Sequence, residues 1–162
     1  MTLHLIFTLA GTEYAVPVDA VIQMETFTGA TLVPGSPSFV AGVVTIRGRL
    51  VPVIDLRLRF GLPPAEIALE TRLIVTDTGG RVVALRVDGA RELLRLDVAA
   101  HQPPPPVLVE RAGGLVSGMH SLGKRLLLLV DLRKILGETS HDLSPHALLE
   151  DDASKARAAL PA

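Results

Sequence analysis

The stretch "GVVTIRGRLVPVIDLRLRFGL", Gly42 to Leu62, decides the reading of this chain. It is almost continuously apolar, yet it carries Arg-Gly-Arg at its centre and Asp-Leu-Arg near its end. A second stretch, "GKRLLLLVDLRKILG" from Gly123 to Gly137, repeats the grammar. Aligning Arg49 with Arg125, a spacing of 76, places Leu50 on Leu126, Asp55 on Asp131, Leu56 on Leu132, Arg57 on Arg133 and Gly61 on Gly137. Upstream, "LIFTLAGTEYAVPVD" from Leu5 matches "LIVTDTGGRVVALRVD" from Leu73, and the paired aspartates Asp19 and Asp88 stand 69 residues apart. Both halves therefore run hairpin, long middle segment, then a strand into Asp-Leu-Arg, as two related β-subdomains joined near "LPPAEIALE" at 62–70 would.

Around this repeat the chain reads as short β-branched or Leu-rich runs punctuated by Gly, Pro and Asp, the pattern of a many-stranded antiparallel fold. Expected strands are Leu3–Leu9, Glu13–Pro17, Gly42–Arg47, Leu50–Ile54, Thr71–Thr76, Val82–Val87, Glu92–Leu96, Leu115–His120 and Arg125–Val130. Leu56–Phe60 and Leu132–Leu136 read as short helical turns, each preceded by an Asp that caps free N–H groups and each followed by Gly. "LVPGSPSF" and "HQPPPPV" read as loops. A sheet this apolar needs cover on its faces, so small packed barrels fit better than one open sheet.

Composition narrows the function. The 162 residues are 48% hydrophobic and 20% charged, enough to build a sizeable core. Sixteen Lys and Arg against seventeen Asp and Glu leave a net charge of -1, no basic field for phosphate backbones, and one Tyr, four Phe and no Trp offer little to stack on bases. Nucleic acid is therefore not expected as a partner. With no Cys, neither disulfides nor a thiolate zinc site can form. "MTLHLIFTLAG" lacks the basic start of a signal peptide, and Leu126–Val130 is far shorter than the roughly 20 residues of a membrane span. A cytoplasmic protein without direct membrane insertion is expected.

Catalytic signatures are missing from the sequence. Ser117, His120 and Ser121 sit close together without an Asp in a triad-like context. The histidines His4, His101, His120, His141 and His146 are scattered, only the last two being neighbours, and suggest no metal site. Asp55 and Asp131 occupy equivalent repeat positions, where capping is a better account than paired acid and base. Arg47 and Arg49 flank Gly48 at a tight connection, as a solvated turn or as a surface for an acidic partner.

The segments "FTLAGTEYAVPVDAVIQM", "LVPGSPSFVAGVVTIRGRLVPVIDLRLRFGL", "RLIVTDTGGRVVALRVDGARELLRL" and "GLVSGMHSLGKRLLLLVDLRKILG", in that order, resemble the CheW-like chemotaxis coupling proteins. The resemblance covers Leu3 to Gly137. It implies a mainly β fold of two small five-stranded SH3-like barrels around a common hydrophobic core, forming one domain over 1–137 of two interleaved subdomains, with 138–162 as a polar tail. It implies a non-enzymatic adaptor without cofactor. Its partners would be the cytoplasmic tip of a chemoreceptor, a methyl-accepting chemotaxis protein, and the regulatory domain of the chemotaxis histidine kinase, in arrays at the membrane.

On the family pattern the receptor-binding groove falls on Val21, Gln23, Gly42, Arg47, Ala90 and Leu93, which would accept a helical hairpin by apolar contact. For Val21, Ala90 and Leu93 ordinary core is an equal reading. Kinase contact would fall near "HQPPPPVLV", at Pro106 and Val107, where four prolines make a stiff polyproline II run; a rigid spacer is the preferred reading there. Two departures stand out. The family's Glu is Gln23 here, so the expected bond to Arg47 loses charge assistance, with Glu25 as the other candidate partner. The family's Asn two residues before the Arg is Thr45. In the tail, Ser144, Pro145 and the Asp151 to Lys155 spacing suggest a short helix.

The same coupling role in twitching or gliding motility is the first alternative. An uncharacterised β-barrel enzyme or ligand binder is the second, to be recognised by a deep polar pocket of converging titratable groups rather than a shallow apolar groove.

Overall fold

Apolar residues on both faces of a strand require two cores, and this protein has them. The computed structural model describes residues 1–112 and 114–137. The strands are β1 (Thr2–Leu9), β2 (Thr12–Pro17), β3 (Val21–Thr26), β4 (Val40–Ile46), β5 (Arg49–Asp55), β6 (Arg72–Thr78), β7 (Arg81–Val87), β8 (Gly89–Leu96), β9 (Val116–Leu122) and β10 (Arg125–Val130). The helices are α1 (Leu56–Arg59), α2 (Pro106–Ala112) and α3 (Leu132–Leu136). The helix expected over Ser144 to Lys155 lies outside the described residues, as do His141 and His146.

The strands form two five-stranded sheets of identical plan. The first runs β8-β1-β2-β10-β9 and the second β3-β6-β7-β5-β4. Neither sheet follows the sequence repeat. Each takes its central hairpin from one half and its outer strands from the other, so β3 pairs with β6 and β8 with β1. The exchange is sealed by two parallel pairs, β2 with β10 and β5 with β7, in otherwise antiparallel sheets.

The runs "RLLLLV" and "RLVPVID" now have a physical cause. Leu127 and Leu129 of β10 face a small core enclosed by the first sheet, with Ile6, Ala15 and Leu96. Leu128 and Val130 face the opposite way, into a larger core common to both sheets. In β5, Val51 and Val53 join the second sheet's own core, while Ile54 joins the common one. Period-2 alternation therefore separates two apolar destinations rather than core from solvent. Phe7 stacks on Tyr14 in the common core and Phe60 meets Tyr14 at a tilt, with centroids 5.5 and 5.3 Å apart.

The Asp-Leu-Arg motifs end β5 and β10 as expected. Asp55 accepts from the Arg57 and Leu58 amides at 3.0 and 3.4 Å, and Asp131 accepts from that of Lys134 at 3.2 Å. Both carboxylates are N-caps of one-turn helices. Arg59 of α1 reaches across to donate to the Ile135 and Lys134 carbonyls of α3, both at 2.9 Å, which ties the two motifs together.

Two expectations need correction. Residues 21–26, absent from the expected strands, form edge strand β3, because "VIQMET" alternates half-buried and exposed positions over six residues. The fourth proline of "HQPPPPV" is not part of an extended run. Pro106 opens α2, where its missing N–H costs nothing, and the Pro105 carbonyl accepts from the Leu108 and Val109 amides at 3.0 and 3.1 Å.

Candidate functional site

The candidate groove residues lie on repeat-related elements. β3 and β8 follow the paired Asp19 and Asp88, and each is an outer strand of its sheet. Val21 and Ala90 stand at equivalent positions, Val21 half-buried against the common core and Ala90 buried within it. Leu93, opposite Leu5, lies on the same face beyond a bulge, at the rim of the common core, and is 56% exposed. Its repeat equivalent is Met24, also exposed, with Ile22 beside it. Ile22 and Met24 were missed in the sequence. The signal that finds Met24 is the 69-residue spacing of Asp19 and Asp88, which sets it on Leu93; Ile22 falls on Arg91 and has no such signal.

Arg47 sits in the two-residue turn joining β4 to β5. Its φ is 51° and that of Gly48 is 75°, while Ile46 pairs with Arg49. Positive φ at both central residues is the type I′ geometry whose twist suits a hairpin, and Gly48 supplies it without strain. Both Arg47 and Arg49 are exposed.

The expected bond between Gln23 and Arg47 does not form. Gln23 instead donates to Glu25 on its own strand, two residues on and therefore on the same face. Among the described residues Arg47 makes no ion pair. Glu25 and Arg47 nevertheless border one cleft of about 800 Å³ between the two edge strands of the second sheet, with Thr28, Gly29, Thr31 and Thr45. Among the described residues those two are its titratable groups.

Gly42 is buried at φ 140°, where a Cβ would collide with the Thr31 carbonyl. Its neighbour Val43 exchanges two 2.9 Å backbone hydrogen bonds with Thr31. Gly42 thus lets the segment after β3 lie against β4, shaping the surface rather than presenting a side chain. Pro106 and Val107 begin α2, in which Leu108 packs on the common core and Val107 is exposed.

Ion pairs hold this framework. Arg57 donates to both Asp88 oxygens, at 2.8 Å from Nε and 2.7 Å from Nη2, and Asp88 also accepts from the Ala10 amide at 2.7 Å. One carboxylate therefore joins the β1–β2 turn to α1. Burial opposes ionisation of Asp88, but the bonds from Arg57 and Ala10 outweigh it and hold the carboxyl below its ordinary range. In the first sheet, Arg125 donates to Glu13 and Glu92, the shortest contact to each being 2.7 Å. The Arg125 bond lowers the Glu92 pKa. Among the described residues no cluster of His, Asp and Glu could hold a metal ion, and no helix is long and apolar enough to cross a membrane.

Comparison with known proteins agrees with this architecture. The CheW-like domain family matches residues 3–140. The chain is 36% identical over 132 residues to the chemotaxis protein CheW of Klebsiella aerogenes, covering 82% of this chain and 80% of that one. It is 31% identical over 136 residues to the chemotaxis protein CheW of Bacillus subtilis, covering 84% and 87%. The crystal structure of the scaffolding protein TtCheW from Thermoanaerobacter tengcongensis superposes with a TM-score of 0.79 at 26% identity, covering 87% of this chain and 91% of that one.

Proposed function

The chain belongs to the CheW-like domain family, and from that premise we propose that it is a non-enzymatic chemotaxis adaptor, a scaffold that couples chemoreceptors to the histidine kinase. It would act in the cytoplasm at receptor arrays, using side chains to bind rather than to react.

We place receptor contact on Val21, Gln23, Gly42, Arg47, Ala90 and Leu93, with Ile22 and Met24 added. Buried Ala90 and Gly42 shape that surface; Leu93, Met24 and Arg47 touch the partner. The observation that carries this reading is Leu93, a large apolar side chain left 56% exposed on a strand that buries Ala90 in the common core and Leu96 in the first sheet's own. An amphipathic receptor helix would cover it, and the exposed Arg47 would meet an acidic or carbonyl group on the same partner. Val107, 63% exposed on α2, is the kinase anchor on this reading, with Pro106 fixing the helix start.

Co-sedimentation of the purified chain with a chemoreceptor signalling fragment and its cognate kinase tests this. Wild type is expected to enter the three-way assembly, Leu93→Asp to lose it, and Arg47→Ala to weaken it, with circular dichroism showing both variants folded. A folded Leu93→Asp variant that still assembles overturns the groove. Absence of wild-type binding to either partner overturns the adaptor role.

A further inference from the structure

Three histidines that are far apart in sequence meet at one end of the first sheet. His4 on β1 and His120 on β9 are buried, and His101, in the loop after β8, lies between them. The His101 ring centroid is 5.9 Å from that of His4 and 5.2 Å from that of His120, edge-on to both. His4 shares a face of β1 with Ile6, and His120 pairs with Leu127, so the two strand histidines adjoin the first sheet's own core.

Their nitrogens are poorly satisfied. His4 Nδ1 lies 2.9 Å from the Thr2 carbonyl, to which it donates, whereas His101 Nε2 and His120 Nδ1 are buried without a hydrogen-bond partner among the described residues. Neutral imidazoles tolerate such a place far better than imidazolium ions do. The titratable groups facing His101 are His120 from β9, His4 from β1 and Asp97 from the turn before it. Asp97 alone would favour a cation, and its side chain already accepts from the Ala99 amide at 3.0 Å. Burial, followed by the two neighbouring imidazoles, keeps the His101 pKa below its ordinary value.

The residue after His101 closes the sheet. Gln102 donates to the Met119 carbonyl at 2.8 Å and accepts from the Met119 amide at 2.7 Å, which ties the end of the β8 loop to β9. The second sheet has the equivalent tie, Thr31 to Val43, but among the described residues its interior holds no imidazole: it is Phe27, Val51, Val53, Leu73, Val75 and Ala84, ending at the Arg86–Asp55 ion pair with Arg86 over the Phe27 ring.

We propose that His101, wedged between His4 and His120, is a proton-operated latch: while neutral it lets the loop stay tied to β9, and its protonation on acidification releases the tie between Gln102 and Met119. The loop continues from β8, which carries Leu93, and leads into α2, which carries Val107. Release therefore slackens both candidate contact surfaces together. That last consequence rests on the adaptor reading; the latch does not.

Amide hydrogen exchange on the full chain, read by NMR and corrected for intrinsic rates, tests the latch without any partner. The Gln102 and Met119 amides are followed at pH 7.5 and 5.5, with Thr31 and Val43 as the internal reference. For an imidazole that titrates near 6.5 when released and stays neutral while latched, the proton taken up raises the opening equilibrium by up to about tenfold over this interval. The expected result is a rise of more than about twofold, and up to that ceiling, at Gln102 and Met119, with less than about a twofold change at Thr31 and Val43. His101→Gln, polar but not titrating, is expected to reduce the difference, and His101→Asn serves if the first variant does not fold. Parallel loss of protection at both ties, or an undiminished response in a folded variant, overturns the proposal. If neither variant folds, the wild-type comparison decides. Because no receptor or kinase is present, a failed latch is distinct from a failed adaptor, which co-sedimentation at neutral pH reports.

Discussion

The two sheets share one strand order and differ in what they enclose. The second lines its interior with aliphatic side chains and Phe27, ends it at the Asp55–Arg86 ion pair, and closes its edge with a backbone contact so tight that Gly42 is obligatory. The first encloses Ile6, Ala15, Leu96, Leu127 and Leu129, but adjoins three imidazoles at one end, and its closing contact is looser. Duplication of a pattern has preserved topology, which depends on backbone hydrogen bonds, while side chains inside each sheet have been free to diverge. Topology tolerates this because any interior of suitable volume supports the same ladder.

The closing glycines offer the sharpest way to break that comparison. Gly42 and Gly118 are equivalent at the 76-residue spacing, but a Cβ on Gly118 would meet the Gln102 carbonyl at 3.1 Å and Leu129 Cδ1 at 3.3 Å, at an ordinary φ. Gly42→Ala should cost about 3 kcal/mol, since it adds a collision with backbone to an unfavourable φ, and Gly118→Ala about 1 kcal/mol. Urea unfolding at pH 7.5 measures both, and equal losses would show the two closures to be alike.

Arg57→Ala comes next. Arg57 bridges to Asp88, whereas its repeat equivalent Arg133 makes no ion pair among the described residues. Losing the charge-assisted bonds of Arg57 should cost about 1 kcal/mol at neutral pH. Because the folded-state pKa of Asp88 is depressed, this contribution is present above its unfolded value of 3.8 and is lost as pH falls through the lower folded value. The gap between wild type and variant should therefore narrow below about pH 4, and a constant gap would mean that packing, not charge, is what Arg57 supplies. The smallest effect belongs to Arg125→Gln. Its carboxylate partners on the first sheet are solvent-facing, so a slight loss of stability in dilute buffer should vanish at about 1 M salt. A loss that persists in salt would instead assign the arginine's role to its aliphatic stem.

Much of this was legible in the residues. The doubled Asp-Leu-Arg motif revealed the repeat, the two capped turns and most of the strands, because those depend on local patterns of turn residues and alternation. Pairing between halves was not legible, since nothing in "LIFTLAG" states that Leu5 lies opposite Leu93 rather than a partner from its own half. β3 escaped notice because it mixes Gln, Met and Glu with only two β-branched aliphatic residues. Gln23 turned out to bond within its own strand, a choice made by side-chain reach rather than by charge. His4, His101 and His120 appeared scattered because chain distance hides what the β1–β8 and β9–β10 pairings bring together.

The exchanged strands also make the two halves interdependent. At the repeat spacings β8 corresponds to β3 and β10 to β5, so each central hairpin is flanked by the other half's copies of strands that its own half also carries. A chain cut at 62–70 therefore leaves each hairpin without its present neighbours, and the two fragments should be recovered as a reassembled pair.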